Sequence, residues 1–273
     1  MNKKFGAVQG RLINPPNRSV LQYFPPNWIH EITLAKKIKL EYIEFFKDRD
    51  KNNICPFYYE HGFKAVKKIL GLEKFKSYSF CDDFFINNNI LKLSNYEKYF
   101  NNISKHLKSL KIKIYILPLY EKSDLNSKNF KKFTLILKKI SKIFKKKKIK
   151  LSLETNLDVS HVNSLFKLIK SDNIFLVYDS GNRLKFHSGA CTDIIELNSK
   201  IIHLHIKDKN FYGENVVLGE GKVDFMKIFT GLKQINYKGN FSFETNRGKN
   251  PLLTMKNNIK FIRNIAKKIG YNI

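Results

Sequence analysis

The chain alternates between short apolar runs and longer segments with helical spacing. Each apolar run is rich in strand-favouring residues and ends at a polar residue. Some are apolar almost throughout, such as IFLVY and IYILPL, which is typical of strands buried on both faces of a parallel sheet. The pattern predicts eight strands, at Phe5–Gln9, Tyr42–Phe46, Phe75–Cys81, Ile112–Leu119, Leu151–Thr155, Ile174–Asp179, Ile201–Ile206 and Phe241–Glu244.

The segments between these runs repeat apolar residues every three or four positions, as amphipathic helices do. The clearest sets are Phe133, Leu137, Ile140 and Phe144, and then Met255, Ile259, Ile262, Ala266 and Ile269. Pro26 or Asn27 can begin the first helix, and Asp158 or Ser160 can cap the helix after the fifth strand. We expect residues 14–22 to form a loop at the end of the first strand.

Eight successive strand–helix units predict a fold of the α/β class, a single (β/α)8 TIM barrel. The length of 273 residues fits, because one such barrel takes about 250 residues. No linker of low complexity divides the sequence, so we predict one domain over residues 1–273. The rival fold is a doubly wound open sheet. Its nucleotide-binding versions are disfavoured, because the sequence has no G-x-G-x-x-G motif after the first strand and no P-loop.

The net charge of +28 is large, with 51 lysines and arginines against 23 acidic residues. Such a charge can indicate a nucleic-acid or membrane partner. Only six of the 51 are arginine, the residue that binds phosphates and base edges through two parallel hydrogen bonds. We therefore interpret the charge as a compositional bias on a solvated surface, and we expect neither a nucleic-acid nor a membrane partner.

Polar residues with metal-binding side chains stand at the ends of the last four predicted strands. They are Glu154 in LSLETN, Asp179 in LVYDSGN, His205 in IIHLHIKD and Glu244 in FSFETN. In a TIM barrel the carboxyl ends of the strands form the mouth that holds the active site. His203 and His205 alternate with apolar residues, so both are expected to point to the same face.

Three carboxylates crowded together repel one another unless a cation lies among them. Carboxylate oxygens and an imidazole nitrogen together suit a divalent ion of hard or borderline character, and Mn²⁺, Mg²⁺, Co²⁺ and Zn²⁺ are all compatible. The strand ends therefore predict a site for one divalent metal ion.

These motifs make the chain similar to the xylose isomerase-like TIM-barrel superfamily, and in particular to its sugar phosphate isomerase/epimerase group, which includes ketose 3-epimerases. The resemblance covers nearly the whole chain. It rests on the opening GAVQGRL, on IEFFKD, on LETN, DSGN, HLHIKD and FETN at the last four strand ends, and on the glycine-rich loop LGEGKVDF.

The resemblance implies a metal-dependent isomerase or epimerase that moves a proton next to the carbonyl of a sugar or sugar phosphate, through an enediolate. It makes Glu154, Asp179, His205 and Glu244 the metal ligands. It also makes Glu154 and Glu244 the catalytic acid/base pair, without deciding which glutamate is the base. Homo-oligomers are common in this group.

Four further residues are expected to contact the substrate: Gln9, Arg11, Asn182 and Lys207. Gln9 and Arg11 close the first strand. Asn182 stands where some ketose epimerases have a histidine, and Phe211 where they have an arginine. Lys207 comes two residues after His205 and is expected either to contact a substrate oxygen or phosphate or to pair with a glutamate.

Two other activities use the same barrel. A metal-dependent dehydratase or lyase, acting on a polyol or keto acid, would use the same metal and enolate chemistry. An apurinic-site DNA endonuclease would suit the basic charge, but that family needs a trinuclear zinc site with more histidines. The loop after the seventh strand, NFYGENVVLGEGKV, has none.

Cysteine usage and hydropathy predict a cytoplasmic protein. Cys55, Cys81 and Cys191 are too few and too scattered for a disulfide framework. The chain starts with no apolar stretch of signal-peptide length, and no apolar run approaches the roughly 18 residues of a membrane span.

Overall fold

The computed structural model describes residues 4–15, 22–186 and 189–273, so part of the predicted loop at 14–22 lies outside the described residues. The strands in these residues are β1 (Phe5–Val8), β2 (Tyr42–Lys47), β3 (Ser79–Asp82), β4 (Ile114–Leu119), β5 (Lys150–Thr155), β6 (Ile174–Asp179), β7 (Ile201–Ile206), β8 (Asp208–Lys209), β9 (Asn215–Val216) and β10 (Asn240–Phe243). The α-helices are α1 (Trp28–Lys37), α2 (Glu60–Leu72), α3 (Phe84–Asn87), α4 (Tyr96–Ser109), α5 (Phe130–Lys146), α6 (Val159–Ile169), α7 (Ala190–Leu197), α8 (Phe225–Gln234) and α9 (Pro251–Lys268).

The long strands form a closed barrel in the order β1-β10-β7-β6-β5-β4-β3-β2. This confirms the predicted α/β class and the (β/α)8 TIM barrel. The short strands β8 and β9 pair with each other in a separate antiparallel hairpin within the loop after β7, which the hydropathy pattern did not predict.

The chain divides into two compact units. The first unit contains residues 1–43 and 177–273, and the second contains residues 44–176. The single domain over 1–273 therefore stays a prediction.

The core of the second unit lies between its parallel strands and its helices. β4 pairs with β5 along its whole length, from Ile114 opposite Lys150 to Leu119 opposite Thr155. The apolar stripe predicted for α5 is confirmed, because Phe133, Leu137, Ile140 and Phe144 are all fully buried. The Phe144 ring stacks on Tyr115 of β4 with 4.3 Å between centroids, which fixes the helix against the sheet.

In the first unit, β10 pairs in parallel with both β1 and β7. Ser242 of β10 is a polar centre of this sheet, because its hydroxyl lies 3.0 Å from the Tyr42 hydroxyl and 3.1 Å from Nε2 of His203. The predicted stripe on α9 is confirmed for Met255, Ile259, Ile262 and Ala266, which are buried. Ile269 comes directly after the last helical residue.

Two strands start later than predicted because the residues at their predicted starts are hydrogen-bonded to the end of the preceding helix. Phe75 donates its backbone N–H to Leu70 at 3.0 Å, and Ile112 donates to Leu107 at 3.1 Å. These bonds cap the ends of α2 and α4, so β3 begins at Ser79 and β4 at Ile114. β6 and β7 have the predicted bounds, β1, β2 and β5 differ by one residue at one end, and β10 differs by one residue at both ends.

Lysine occupies the left-handed backbone position at several helix ends, where glycine or asparagine is usual. The residues are Lys39, Lys74, Lys111, Lys148 and Lys170, with φ between 49° and 63°. A side chain costs about 1–2 kcal/mol in this conformation, and the positive charge near the carbonyl end of a helix offsets part of that cost.

The other local predictions concern a helix cap, the cysteines and membrane spans. Asp158 caps α6 and accepts the backbone N–H of His161 at 2.9 Å. Cys55, Cys81 and Cys191 are free thiols. Among the described residues, none of the helices combines the length and the apolar content that crossing a membrane requires.

Leu137→Ala should lower the free energy of unfolding by about 2–5 kcal/mol, because it removes a fully buried side chain from α5. Leu135 is the matched control on the same helix, since it is 62% exposed, and its alanine variant should change the free energy by less than about 0.5 kcal/mol. Urea denaturation measures both. Equal losses in the two variants would contradict the packing of α5.

Candidate metal and active site

Three of the predicted metal ligands converge in the first unit. Asp179 is the last residue of β6, His205 is the fifth residue of β7, and Glu244 directly follows β10. Each offers one ligand atom, and the three atoms lie within 4.8 Å of one another. His205 and Asp179 are almost fully buried. Because parallel strands end at the same edge of the sheet, the sequence brings these side chains together without any special loop.

The two carboxylates of this group share the ammonium of Lys207. Lys207 Nζ lies 2.9 Å from Asp179 Oδ2 and 2.9 Å from Glu244 Oε1. His205 Nδ1 lies 3.1 Å from the other oxygen of Glu244. The lysine is 5% exposed, so its ammonium acts as a buried counter-charge and is the strongest single neutralising group in the cluster.

The charges around Glu244 determine its protonation. Burial by itself raises the pKa of this carboxyl, but Lys207, His205 and Arg11 together lower the pKa well below its ordinary value. Glu244 is therefore a carboxylate at neutral pH, which is the form that binds a cation or accepts a proton.

Ser180 and Gly181 position Lys207. The Ser180 hydroxyl accepts the backbone N–H of Lys207 at 2.8 Å and donates to its carbonyl at 2.6 Å. A Cβ at Gly181 would come within 2.9 Å of the Lys207 side chain. The glycine of the DSGN motif thus leaves room for the lysine stem to run toward Asp179.

His203 and His205 lie on one face of β7, as predicted. Both are buried, and their rings are 5.4 Å apart. His203 contacts Ser242 in the interior, whereas His205 contacts the carboxylates near the strand end. His205 is therefore the histidine of the cluster.

Glu31 of α1 organises the loop after β1, a role that the sequence pattern did not predict. Its carboxylate is fully buried and accepts three N–H groups: the side-chain amide of Gln9 at 2.5 Å, and the backbone of Gly10 and Leu12 at 2.7 Å each. Burial raises the pKa of Glu31, although these hydrogen bonds and Arg247 act in the opposite direction. Glu31 has helical spacing and an acidic side chain, so nothing in its sequence context distinguishes it from a surface residue.

Arg11 lies between the two backbone groups that Glu31 holds. Its guanidinium donates to Gln22 at 2.5 Å and to Glu244 Oε1 at 3.4 Å. Arg247 supports the same loop by donating to the Gly10 carbonyl at 2.6 Å. Gly10 has a φ of +81°, and a Cβ there would meet the Tyr23 carbonyl at 2.7 Å, so only glycine fits this turn.

Asn182 and Gln9 are the remaining residues of the first unit that were predicted to contact the substrate. Asn182 donates its backbone N–H to Asp179 Oδ1 at 2.7 Å. Gln9 is fully buried, and its carbonyl oxygen Oε1 has no hydrogen-bond partner among the described residues. A buried acceptor of this kind is expensive unless another molecule supplies a donor.

Asp208, directly after Lys207, holds the glycine-rich loop in shape. Its carboxylate accepts the backbone N–H groups of Gly219, Gly221 and Val223 at 2.9–3.1 Å. A Cβ at Gly221 would collide with this carboxylate at 2.1 Å. The two residues after the strand thus have different roles: Lys207 contacts the carboxylates of Asp179 and Glu244, and Asp208 anchors the glycine-rich loop.

Glu154 belongs to the second unit and lies in β5, one residue before the carboxyl end of the strand. It is 6% exposed. Tyr120 directly follows β4, and its hydroxyl donates a hydrogen bond to Glu154 Oε1 at 3.2 Å. This tyrosine was not predicted, because the sequence gives no sign that its ring turns toward the neighbouring strand.

The chain matches one protein family and is similar to several known proteins. The family model described as "Xylose isomerase-like TIM barrel" matches residues 32–265. The Escherichia coli K12 protein named "Putative L-ribulose-5-phosphate 3-epimerase SgbU" is 29% identical over 130 residues, which are 42% of this chain and 46% of that protein. The aligned segments thus cover less than half of the curated relatives that the chain matches.

Two solved structures resemble the chain over almost its full length. D-Psicose 3-epimerase with D-tagatose, from Clostridium cellulolyticum H10, has a TM-score of 0.76 and 13% identity, covering 96% of this chain and 99% of that one. The IOLI protein with a binding zinc atom has a TM-score of 0.73 and 18% identity, covering 97% of each chain. At these identities the likeness shows the shared barrel fold.

Glu31→Gln should lower the free energy of unfolding by about 2 kcal/mol or more, because an amide cannot accept all three N–H groups and each such bond to a charged group contributes about 1.5–3 kcal/mol. Glu41→Gln is the control, since Glu41 is exposed and its pair with Lys4 is 3.8 Å long. Chemical denaturation measures both variants. A loss no larger than that of the control would show that Glu31 does not hold the loop.

Lys207→Met should destabilise the metal-free protein by about 3–5 kcal/mol, because it removes the ammonium that the buried Asp179 and the partly buried Glu244 share. Mn²⁺ should restore much of this loss, since a divalent ion supplies the missing charge. Thermal unfolding with and without Mn²⁺ measures the effect. Lys227→Met, which breaks only an exposed pair with Asp224, should be nearly neutral in both conditions. The hypothesis fails if Mn²⁺ stabilises the two variants equally.

Proposed function

Because this chain belongs to the xylose isomerase-like TIM barrel family, we propose that it is a divalent-metal-dependent isomerase or epimerase of a sugar or sugar phosphate. The convergence of Asp179, His205 and Glu244 at neighbouring strand ends carries the proposal. The names of the relatives support the substrate class, since they include epimerases of a free ketose and of a sugar phosphate.

The donor set fits one divalent cation. Asp179 and Glu244 offer carboxylate oxygens and His205 offers an imidazole nitrogen, a mixture that Mn²⁺, Mg²⁺, Co²⁺ and Zn²⁺ all accept. The contacts of Lys207 support a site that attracts cations, because its ammonium lies 2.9 Å from both carboxylates.

Glu154 is the proposed fourth ligand. β5 pairs in parallel with β6, and Leu153 lies opposite Leu176 in the register. The carboxyl ends of paired parallel strands share one edge of the sheet, and these two strands end with Glu154 and Asp179 close to their last residues. Tyr120 would hold the Glu154 carboxylate in place through its hydrogen bond.

The proposed reaction moves a proton on a carbon next to the sugar carbonyl. A bound divalent cation would supply Lewis-acid stabilisation of the negative charge on the enediolate oxygens. One of Glu154 and Glu244 removes the proton, and the other returns one to the opposite face or to the neighbouring carbon. Glu244 is in the ionised form that a general base needs, because Lys207, His205 and Arg11 lower its pKa.

Four residues would bind and orient the sugar. Gln9 can accept a hydrogen bond from a sugar hydroxyl at its buried carbonyl oxygen. Arg11 is held near Glu244 by the Glu31 loop, and Lys207 can exchange a carboxylate contact for a substrate oxygen or phosphate. Asn182 lies next to Asp179. These assignments stay proposals, as do a homo-oligomeric state, a cytoplasmic location and the absence of nucleic-acid and membrane partners.

Proton NMR in D₂O tests the reaction directly. The protein is incubated with Mn²⁺ and a panel of ketoses, aldoses and their phosphates, and the metal is chelated before recording. Loss of one carbon-bound proton signal on a specific sugar, dependent on metal, is the expected result, because proton removal admits solvent deuterium. No exchange and no product on any sugar would contradict the proposal, and an abasic-site oligonucleotide and a polyol would then test the nuclease and lyase alternatives.

Glu154→Gln and Glu244→Gln should each lower the exchange rate by about 10²–10⁴-fold, because an amide cannot move the proton. Glu220→Gln is the matched control, since this glutamate is exposed in the glycine-rich loop, and it should exchange at the parent rate. A near-normal rate in either of the first two variants would remove that residue from the acid/base pair.

A further inference from the structure

We propose that the second unit carries a separate binding site for a nucleoside polyphosphate, in a cleft at the amino-terminal ends of β3 and β4. The cleft lies between the ends of α2 and α4 and has a volume of about 570 Å³. We call it the lysine cleft. Its lining comprises Lys67, Leu70, Gly71, Lys74, Phe75, Lys76, Ser77, Tyr78, Ser109, Leu110, Lys111 and Lys113.

The lining contains five lysines and no acidic residue. All five lysine side chains are exposed. Among the described residues, none of these ammonium groups forms an ion pair, although other lysines of the same unit do, such as Lys64 with Glu60 and Lys145 with Asp172. The lysine cleft is therefore a concave surface whose positive charge lacks a counter-charge within the described chain.

Helix ends reduce this charge only slightly. α2 and α4 point their carbonyl ends at the cleft, and each contributes about half a negative charge. Against five ammonium groups, these two ends leave a net charge of roughly +4. The lysines thus exceed what the helix dipoles need, and the surplus matches the three to four negative charges of a nucleoside triphosphate.

The size and the walls of the cleft select the ligand. Its volume lies within the roughly 300–1,000 Å³ of small-molecule sites. Leu70 and Leu110 are buried in its wall, and the rings of Phe75 and Tyr78 are half-buried, so the cleft offers an apolar surface for a planar base beside charges for a phosphate chain. A polymeric nucleic acid would need a longer open groove.

Gly71 keeps the cleft open. It lines the cleft from α2, and an added Cβ would meet no atom within 4 Å. A larger side chain can therefore be introduced without disturbing the protein's own packing, and it would fill the space of the ligand while the net charge stays the same.

The lysine cleft is distinct from the proposed catalytic site. It lies where β3 and β4 begin, whereas Tyr120 and its partner Glu154 lie at the carboxyl ends of β4 and β5. The six residues of β4 separate these two ends by about 20 Å. The proposal does not depend on the sugar reaction, so either can fail alone.

Isothermal titration calorimetry of the full chain with ATP, in 0.15 M salt, tests the site. We expect one ATP per chain, with tripolyphosphate and adenosine each binding at least tenfold more weakly than ATP. The triple variant Lys74→Gln/Lys76→Gln/Lys111→Gln and the single variant Gly71→Leu should both weaken ATP binding at least tenfold.

The control is Lys131→Gln/Lys132→Gln/Lys138→Gln, which removes the same charge from exposed positions on α5 and should change affinity less than twofold. Equal weakening by this control would show diffuse attraction to a basic surface and overturn the proposal. So would unchanged binding in Gly71→Leu, tripolyphosphate binding as tightly as ATP, or a single-stranded oligonucleotide binding more tightly than ATP.

Discussion

Carboxylates buried close together need positive charge, and this electrostatic requirement shapes the first unit. Asp179 and Glu244 would repel each other without compensation. Lys207, which directly follows β7, supplies this charge, and Arg11 and His205 add to it. Two neighbouring residues let the lysine reach the carboxylates. Ser180 fixes the Lys207 backbone through its hydroxyl, and Gly181 leaves space for the Lys207 side chain.

Other buried carboxylates of the first unit have a mechanical role. Glu31 binds three N–H groups of the loop after β1, and Asp208 binds three backbone N–H groups of the glycine-rich loop. Each loop would otherwise be free to move at the strand ends. Through these hydrogen bonds the two carboxylates hold the loops after β1 and β7 in defined conformations.

The alternation of apolar runs was sufficient to predict the barrel, because strands buried on both faces leave a strong signal. The strand ends also predicted that Asp179, His205 and Glu244 lie close together, since the fold itself brings equivalent positions to one edge, and their roles stay predictions. Glu31, Tyr120 and Gln22 could not be predicted, because their roles depend on side-chain direction and on contacts across many residues. The later starts of β3 and β4 depended on helix caps formed by Lys74 and Lys111, which resemble ordinary surface lysines.

Those capping lysines bear on how stable the protein is. At five helix ends the chain keeps a backbone conformation that favours glycine or asparagine, yet it carries lysine there. Each of these lysines therefore costs the protein some stability relative to glycine at the same position. Lys39, Lys148 and Lys170 lie outside the lysine cleft, so glycine at these three positions offers an engineer a simple route to a more stable protein, since it would release backbone strain and leave the cleft intact.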